Sequence, residues 1–226
     1  LVLRAVPDDD PAVLTFTIAG GLARCGLNAA GIAVTGNGLA SDRDAERTRT
    51  GVPLALIRRK VLGSAIYADA LAAVTSPPVA ASNNMTVSSA EGEGDAINFE
   101  VAPEEAFWLT PEDGLLVHAN HFKSPAARAR LRDTGVARSP CSLYRDRRLE
   151  AILRTQVGRI DPDLITAVRI VIFVPLHATH LPGHFPYPDL VARLFDIHNP
   201  VSIHIDRHPA VVIDILENKT VIPRSE

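Results

Sequence analysis

The chain has 226 residues, 46% hydrophobic and 22% charged, which is the composition of a globular protein with room for a sizeable core. A formal net charge of −3 offers nothing to a polyanion, so nucleic acid is not an expected partner. Two cysteines, Cys25 and Cys141, make no disulfide framework, and a reducing, cytoplasmic compartment is the expected location.

In chain order, residues 1–6 are short and apolar and read as a strand, closed by the turn Pro7-Asp8-Asp9-Asp10-Pro11. Residues 13–18 alternate as a half-buried strand does. Gly26 to Gly31 reads as a tight turn between two strands, with Asn28 and the glycines suited to positive φ and residues 32–35 forming the second strand. Residues 41–50 are polar and read as a surface loop. Pro53 opens a helix with Leu54, Ile57, Val61 and Leu62 on one face, and Ser64 is placed to cap a second helix running to Ala73. Residues 85–89, 96–101, 106–109 and 115–118 form a β meander punctuated by Gly and Pro turns. Residues 143–157 are helical, Asp161-Pro162 starts another helix and residues 188–195 a third. Residues 201–205, 210–216 and 220–222 close the chain as strands. The pattern is a single α+β domain over residues 1–226. Its longest apolar run, residues 170–175, falls far short of the ~20 residues of a membrane-spanning helix, so no membrane partner is expected. The opening Leu1-Val2-Leu3 reads as the middle of a strand, which implies that the protein starts upstream.

Chemistry concentrates at Val117-His118-Ala119-Asn120-His121-Phe122, where an Asn ends an apolar strand between two histidines. A neutral carboxamide N–H held on a rigid strand end is a good oxyanion donor. Its bland reading is an Asn that caps a turn. The ordered set Gly26-Leu27-Asn28-Ala29-Ala30-Gly31, Asn37-Gly38-Leu39, Ala81-Ser82-Asn83-Asn84, Glu91-Gly92, Phe99-Glu100-Val101-Ala102-Pro103 and His118-Ala119-Asn120-His121 resembles the peptidase C45 family. These are the isopenicillin N/acyl-CoA:6-aminopenicillanate acyltransferase-like members of the N-terminal-nucleophile (Ntn) hydrolases. The likeness covers roughly residues 1–165 and extends to the helix carrying Arg145 and Arg148.

That resemblance implies a four-layer αββα sandwich of two antiparallel sheets, here missing its N-terminal strand or strands. It implies an acyltransferase or amidohydrolase acting on amides or thioesters through a Cys acyl-enzyme, the Cys being exposed by self-cleavage and its own α-amine serving as base. By position Asn120 matches the oxyanion Asn and Asn37 a second active-site Asn. The nucleophile Cys and its partner Asp are expected upstream of Leu1; Cys25 falls at a variable position of the family pattern. No cofactor is implied; the expected partner is a small-molecule acyl substrate, acyl-CoA thioester among the candidates. A missing strand leaves an open sheet edge, which favours homo-oligomers. The carboxyl-terminal part departs from the family: residues 168–186 are divergent or inserted, and Arg207 is only an approximate match to a substrate-contacting Arg.

Other readings stand beside this one. The chain fits a degenerate, non-catalytic fragment of the same family. His177, His180 and His184, with His198 or Asp189, form the one metal-like cluster, against the default of a loop with uncommitted histidines. His118 and His121 read as packing and hydrogen-bonding residues, Cys141 as a small buried side chain rather than a helix-activated thiol, and Asp95, Glu100 and Glu104 as a solvated face rather than a carboxylate pair for glycoside chemistry.

Overall fold

A computed structural model describes residues 1–45, 50–92 and 94–160, together with the backbone of 211–214. The alternating segments pair in sequence order into one antiparallel meander of seven strands: β1 (Val2–Ala5), β2 (Val13–Phe16), β3 (Cys25–Asn28), β4 (Ile32–Thr35), β5 (Asn83–Ser89), β6 (Asp95–Ala102) and β7 (Glu105–Leu109). Between β4 and β5 the chain makes two helices, α1 (Leu54–Leu62) and α2 (Tyr67–Thr75). After β7 come β8 (Leu115–His118), α3 (Pro125–Arg130), α4 (Gly135–Arg138) and α5 (Cys141–Arg154). β9 (Val211–Asp214) pairs with β8 in parallel, Leu115 opposite Val211 and His118 opposite Asp214. The class is mixed α+β, as the sequence predicts. β8, expected as the last strand of the meander, instead pairs with β9 in a separate two-stranded sheet, in parallel where the family resemblance implies antiparallel strands.

One face of the meander is apolar. Ile32, Val34, Met85, Val87, Phe99 and Val101 pack on Ile57, Val61 and Leu62 of α1 and on Ala70, Ala73 and Val74 of α2. Each large side chain so buried contributes roughly 1.5–3 kcal/mol over its exposed state. The opposite face is buried too, but polar. Asn84 lies across from Glu100 and Thr86 across from Asn98, and all four side chains are sequestered from solvent. Asn84 Nδ2 donates to Asn98 Oδ1 at 2.7 Å and Asn98 Nδ2 to Thr86 Oγ1 at 2.6 Å, the condition under which such groups tolerate burial. Farther along this face Leu39, Ala102, Phe107, Phe122, Ala127 and Leu131 make a second small core under α3.

Several local expectations change. Gly26 lies inside β3 rather than in the turn, and its Cα approaches β2 so closely that an added Cβ would sit 2.5 Å from the Leu14 carbonyl oxygen. Asn28 is a buried strand residue; the positive φ of +80° belongs to Gly31. Ser64 does not cap α2, whose N-cap residue is Ile66; its hydroxyl donates back to the Lys60 carbonyl. The segment predicted as a surface loop from residue 41 begins with a buried Ser41 and a 3-10 helix, Asp42–Ala45, tied down by Asp44 to the backbone N–H groups of Ser41 and Ser82. α3 was not expected, although Ser124-Pro125 carries its signal: Ser124 Oγ accepts from Ala127 N and Pro125 occupies the first turn. Among the described residues no helix is long and apolar enough to cross a membrane. The predicted elements at 161–205 and 220–222 lie outside the described residues.

Candidate functional site

The end of β4 and the end of β8 meet over the polar face of the sheet. Gly36-Asn37-Gly38 continues β4 alongside β5: Asn37 N donates to Asn84 O at 3.1 Å and Asn84 N to Asn37 O at 2.8 Å. Gly36 is required there, because a Cβ would lie 2.5 Å from the Asn84 carbonyl oxygen and 2.9 Å from Arg58 Nη2. The buried Asn37 side chain reaches across to the His118 carbonyl (Nδ2–O 3.3 Å). In return Asn120 Nδ2 donates to the Gly38 carbonyl at 3.1 Å. The structure thus brings Asn37 and Asn120 together, with Asn120 partly exposed at the rim.

Three bonds fix Asn120. Its backbone N–H donates to Ser142 Oγ at 2.8 Å, its Nδ2 to Gly38 O, and its Oδ1 accepts from Arg145 Nη2 at 2.8 Å. A flipped carboxamide would turn NH₂ toward the guanidinium and oxygen toward a carbonyl, two repulsive contacts, so the network sets the orientation. α5 supplies both Ser142 and Arg145, three residues apart and therefore on one helix face. Arg145 is 5% exposed, and among the described residues the bond to Asn120 is its only polar contact.

Beneath this rim sits a buried acid–imidazole pair. Glu100, predicted to lie on a solvated face, is fully buried with three nitrogens at hydrogen-bond distance. They are His118 Nε2 at 2.7 Å, Lys123 N at 2.5 Å and Ser124 N at 3.1 Å. His118 Nδ1 faces the Ala119 carbonyl at 2.8 Å, which can only accept. Nδ1 therefore carries a proton, and Nε2 shares a hydrogen bond with the Glu100 carboxyl, so both ring nitrogens are engaged. Asp95 and Glu104 are not part of this cluster; Asp95 is exposed at the start of β6 and Glu104 sits at φ +71° in the β6–β7 turn.

His121 is held from the other side, by α5. Ser142 Oγ accepts from Asn120 N, and among the described residues the buried hydroxyl's one acceptor is His121 Nδ1 at 2.9 Å, which assigns His121 the Nε2–H tautomer. Burial pulls the His121 pKa below its ordinary value, against the opposing pull of Asp146. The two rings stack with centroids 6.4 Å apart. His121 also borders a cavity of about 460 Å³ lined by Phe122, Lys123, Arg128, Asp133, Val136 and Leu143.

The remaining sequence candidates fall elsewhere. Cys25 is buried in β3, and Cys141 is half-buried at the start of α5 with its Sγ 3.2 Å from Ser139 Oγ. Arg207 and the His177–His198 region lie outside the described residues, and no group of three metal-ligating side chains occurs among those described. Sequence reasoning missed Glu100, Ser142 and Arg145 as parts of the site. Arg145 and Ser142 carried a usable signal, an i, i+3 polar pair on the first turns of a predicted helix. In comparison with known proteins, the chain matches no family model and no curated protein.

Proposed function

We propose that this chain carries the oxyanion-binding part of an acyl-transfer site, as the peptidase C45 resemblance implies. The observation that carries the proposal is the Asn120 carboxamide, oriented by Arg145 and presented at a partly exposed rim beside Gly38. One Nδ2 hydrogen is used by Gly38; the second is the proposed donor to a tetrahedral oxyanion. Arg145 withdraws charge through Oδ1, which makes that N–H a stronger donor. Asn37 positions the Asn120 loop through the His118 carbonyl.

In the proposed reaction a cysteine thiolate attacks the carbonyl carbon of an amide or thioester. The C–N or C–S bond then breaks, the amine or thiol leaves with the proton, and water or an amine takes the acyl group from the enzyme. The thiol is proposed to lie upstream of Leu1, since Cys25 is buried within β3. The succession of α1 and α2, the large sheet, the β8–β9 pair and α5 supports a four-layer αββα sandwich in which this site lies between the β layers.

The test is intact-mass analysis of protein expressed from the full reading frame. Self-cleavage to a new N-terminal Cys, followed by an acyl adduct on that residue after incubation with a short acyl thioester, is the expected result. Asn120→Ala should slow adduct formation by about 10²–10³-fold. An unprocessed chain without adduct, or an adduct formed at the same rate by the variant, rejects the reading.

A further inference from the structure

The cavity beside His121 has the makings of a ligand site that neither Asn120 nor a nucleophile explains. Its volume of about 460 Å³ lies inside the range of ~300–1,000 Å³ typical of small-molecule sites. Phe122, Val136 and Leu143 give it apolar walls, and Leu143 is 42% exposed although it is a large apolar side chain.

Its polar groups divide by whether they are already engaged. Lys123 Nζ is bound to Asp146 at 2.8 Å and to the Val117 carbonyl at 2.9 Å. Both Asp133 oxygens accept backbone N–H groups, Oδ2 from Phe122 and Oδ1 from Gly135 and Val136. Two donors are left over. Arg128 is exposed on α3 with no ion-pair partner among the described residues. His121 is only 8% exposed; with Nδ1 committed to Ser142, its Nε2–H has no partner among the described residues. An N–H at a cavity wall finds its acceptor in what fills the cavity.

We propose that this cavity binds a small carboxylate with a short apolar tail, the carboxylate bridging the Arg128 guanidinium and His121 Nε2–H and the tail lying against Phe122, Val136 and Leu143. A guanidinium beside a neutral imidazole favours one negative charge. The carbon-lined walls select for an attached hydrocarbon over inorganic anions. The site is independent of the acyl-transfer proposal, because binding needs no nucleophile.

Calorimetric titration with hexanoate, and with hexanamide as its uncharged counterpart, tests it on the full chain. Hexanoate is expected to bind and to shift the His121 imidazole resonances in heteronuclear NMR; hexanamide is expected to bind at least about tenfold more weakly. Arg128→Gln, on an exposed side chain, should keep the fold and weaken hexanoate by a similar factor. Absence of hexanoate binding, equal affinity for the amide, an unmoved His121 or an unaffected Arg128→Gln variant each overturns the proposal. None of these readouts depends on acyl transfer, so failure here leaves the Asn120 reading to its own test.

Discussion

Asn37 and Asn120 each hold the other's backbone. The Asn37 carboxamide donates to the carbonyl two residues before Asn120, and the Asn120 carboxamide donates to the carbonyl one residue after Asn37. A reciprocal clasp between segments more than eighty residues apart closes a long loop, and neither bond is well placed without the other. Single Asn37→Ala and Asn120→Ala variants should each lose about 1–2 kcal/mol in urea denaturation. The double variant should lose less than their sum, with a coupling of at least about 0.5 kcal/mol. Strict additivity would show that the two bonds act separately.

Glu100 is expected to be the most sensitive polar residue described. Glu100→Ala strands a buried imidazole nitrogen and two backbone N–H groups, and should cost about 3–5 kcal/mol. Replacing both members of a buried ion pair by apolar residues is often harmless. Here it should not be, because Lys123 N and Ser124 N depend on the same carboxylate. Glu100→Leu combined with His118→Leu should therefore remain destabilised by roughly 2 kcal/mol or more in chemical denaturation. Full recovery in the double variant would assign the whole cost to the charge pair.

Asn28 ties the β3–β4 turn to the end of α1. Nδ2 donates to the Leu62 and Ser64 carbonyls, and Oδ1 accepts from Ala30 N and Ile32 N. All its hydrogen-bonding capacity is used. Asn28→Ala should cost roughly 3 kcal/mol. Asn28→Asp should do no better despite its matching shape, because it turns an anionic oxygen toward two carbonyls. Thermal melts of both variants check this; an aspartate near wild type would mean that only the Oδ1 bonds count.

The strands themselves, both helices before β5 and the long helix α5 follow from features a sequence displays: alternation with period two, Pro at a helix start, apolar spacing of three and four; the pairing of β8 with the distant β9 rather than with its meander neighbours does not. What stayed hidden is instructive. In β5 and β6 the alternation of Asn84, Thr86, Asn98 and Glu100 with Met85, Val87, Ile97 and Phe99 is the pattern of a sheet with one wet face. The structure buries that polar face under β8 and α3, and periodicity carries no information about which faces are later covered. The same blindness made Glu100 look solvated. Asn120 stands out in the sequence because a polar residue that ends an apolar strand between two histidines is unusual. Arg145, named with Arg148 in the family resemblance, received no site role, since one Arg among Arg147, Arg148 and Arg154 looks like one more surface charge.

His121 makes stability depend on pH in a known direction. Burial, the largest cause, lowers its folded pKa below the unfolded 6.5, with His118 and Lys123 acting in the same sense and Asp146 and Asp133 opposing. The unfolded chain then binds the proton more readily, so this contribution to stability is fully present above pH 6.5. It is lost as the pH falls from there through the depressed folded value. Protonation would also remove the acceptor that Ser142 uses and place a cation between His118 and Lys123. Urea midpoints measured downward from neutral pH should fall more steeply in the wild type than in His121→Gln, whose amide oxygen can accept from Ser142 but cannot titrate. Parallel profiles for the two proteins would show that acid acts elsewhere. His121 imidazole resonances followed by NMR should titrate below the free-histidine range, and a titration above it would reverse the sign.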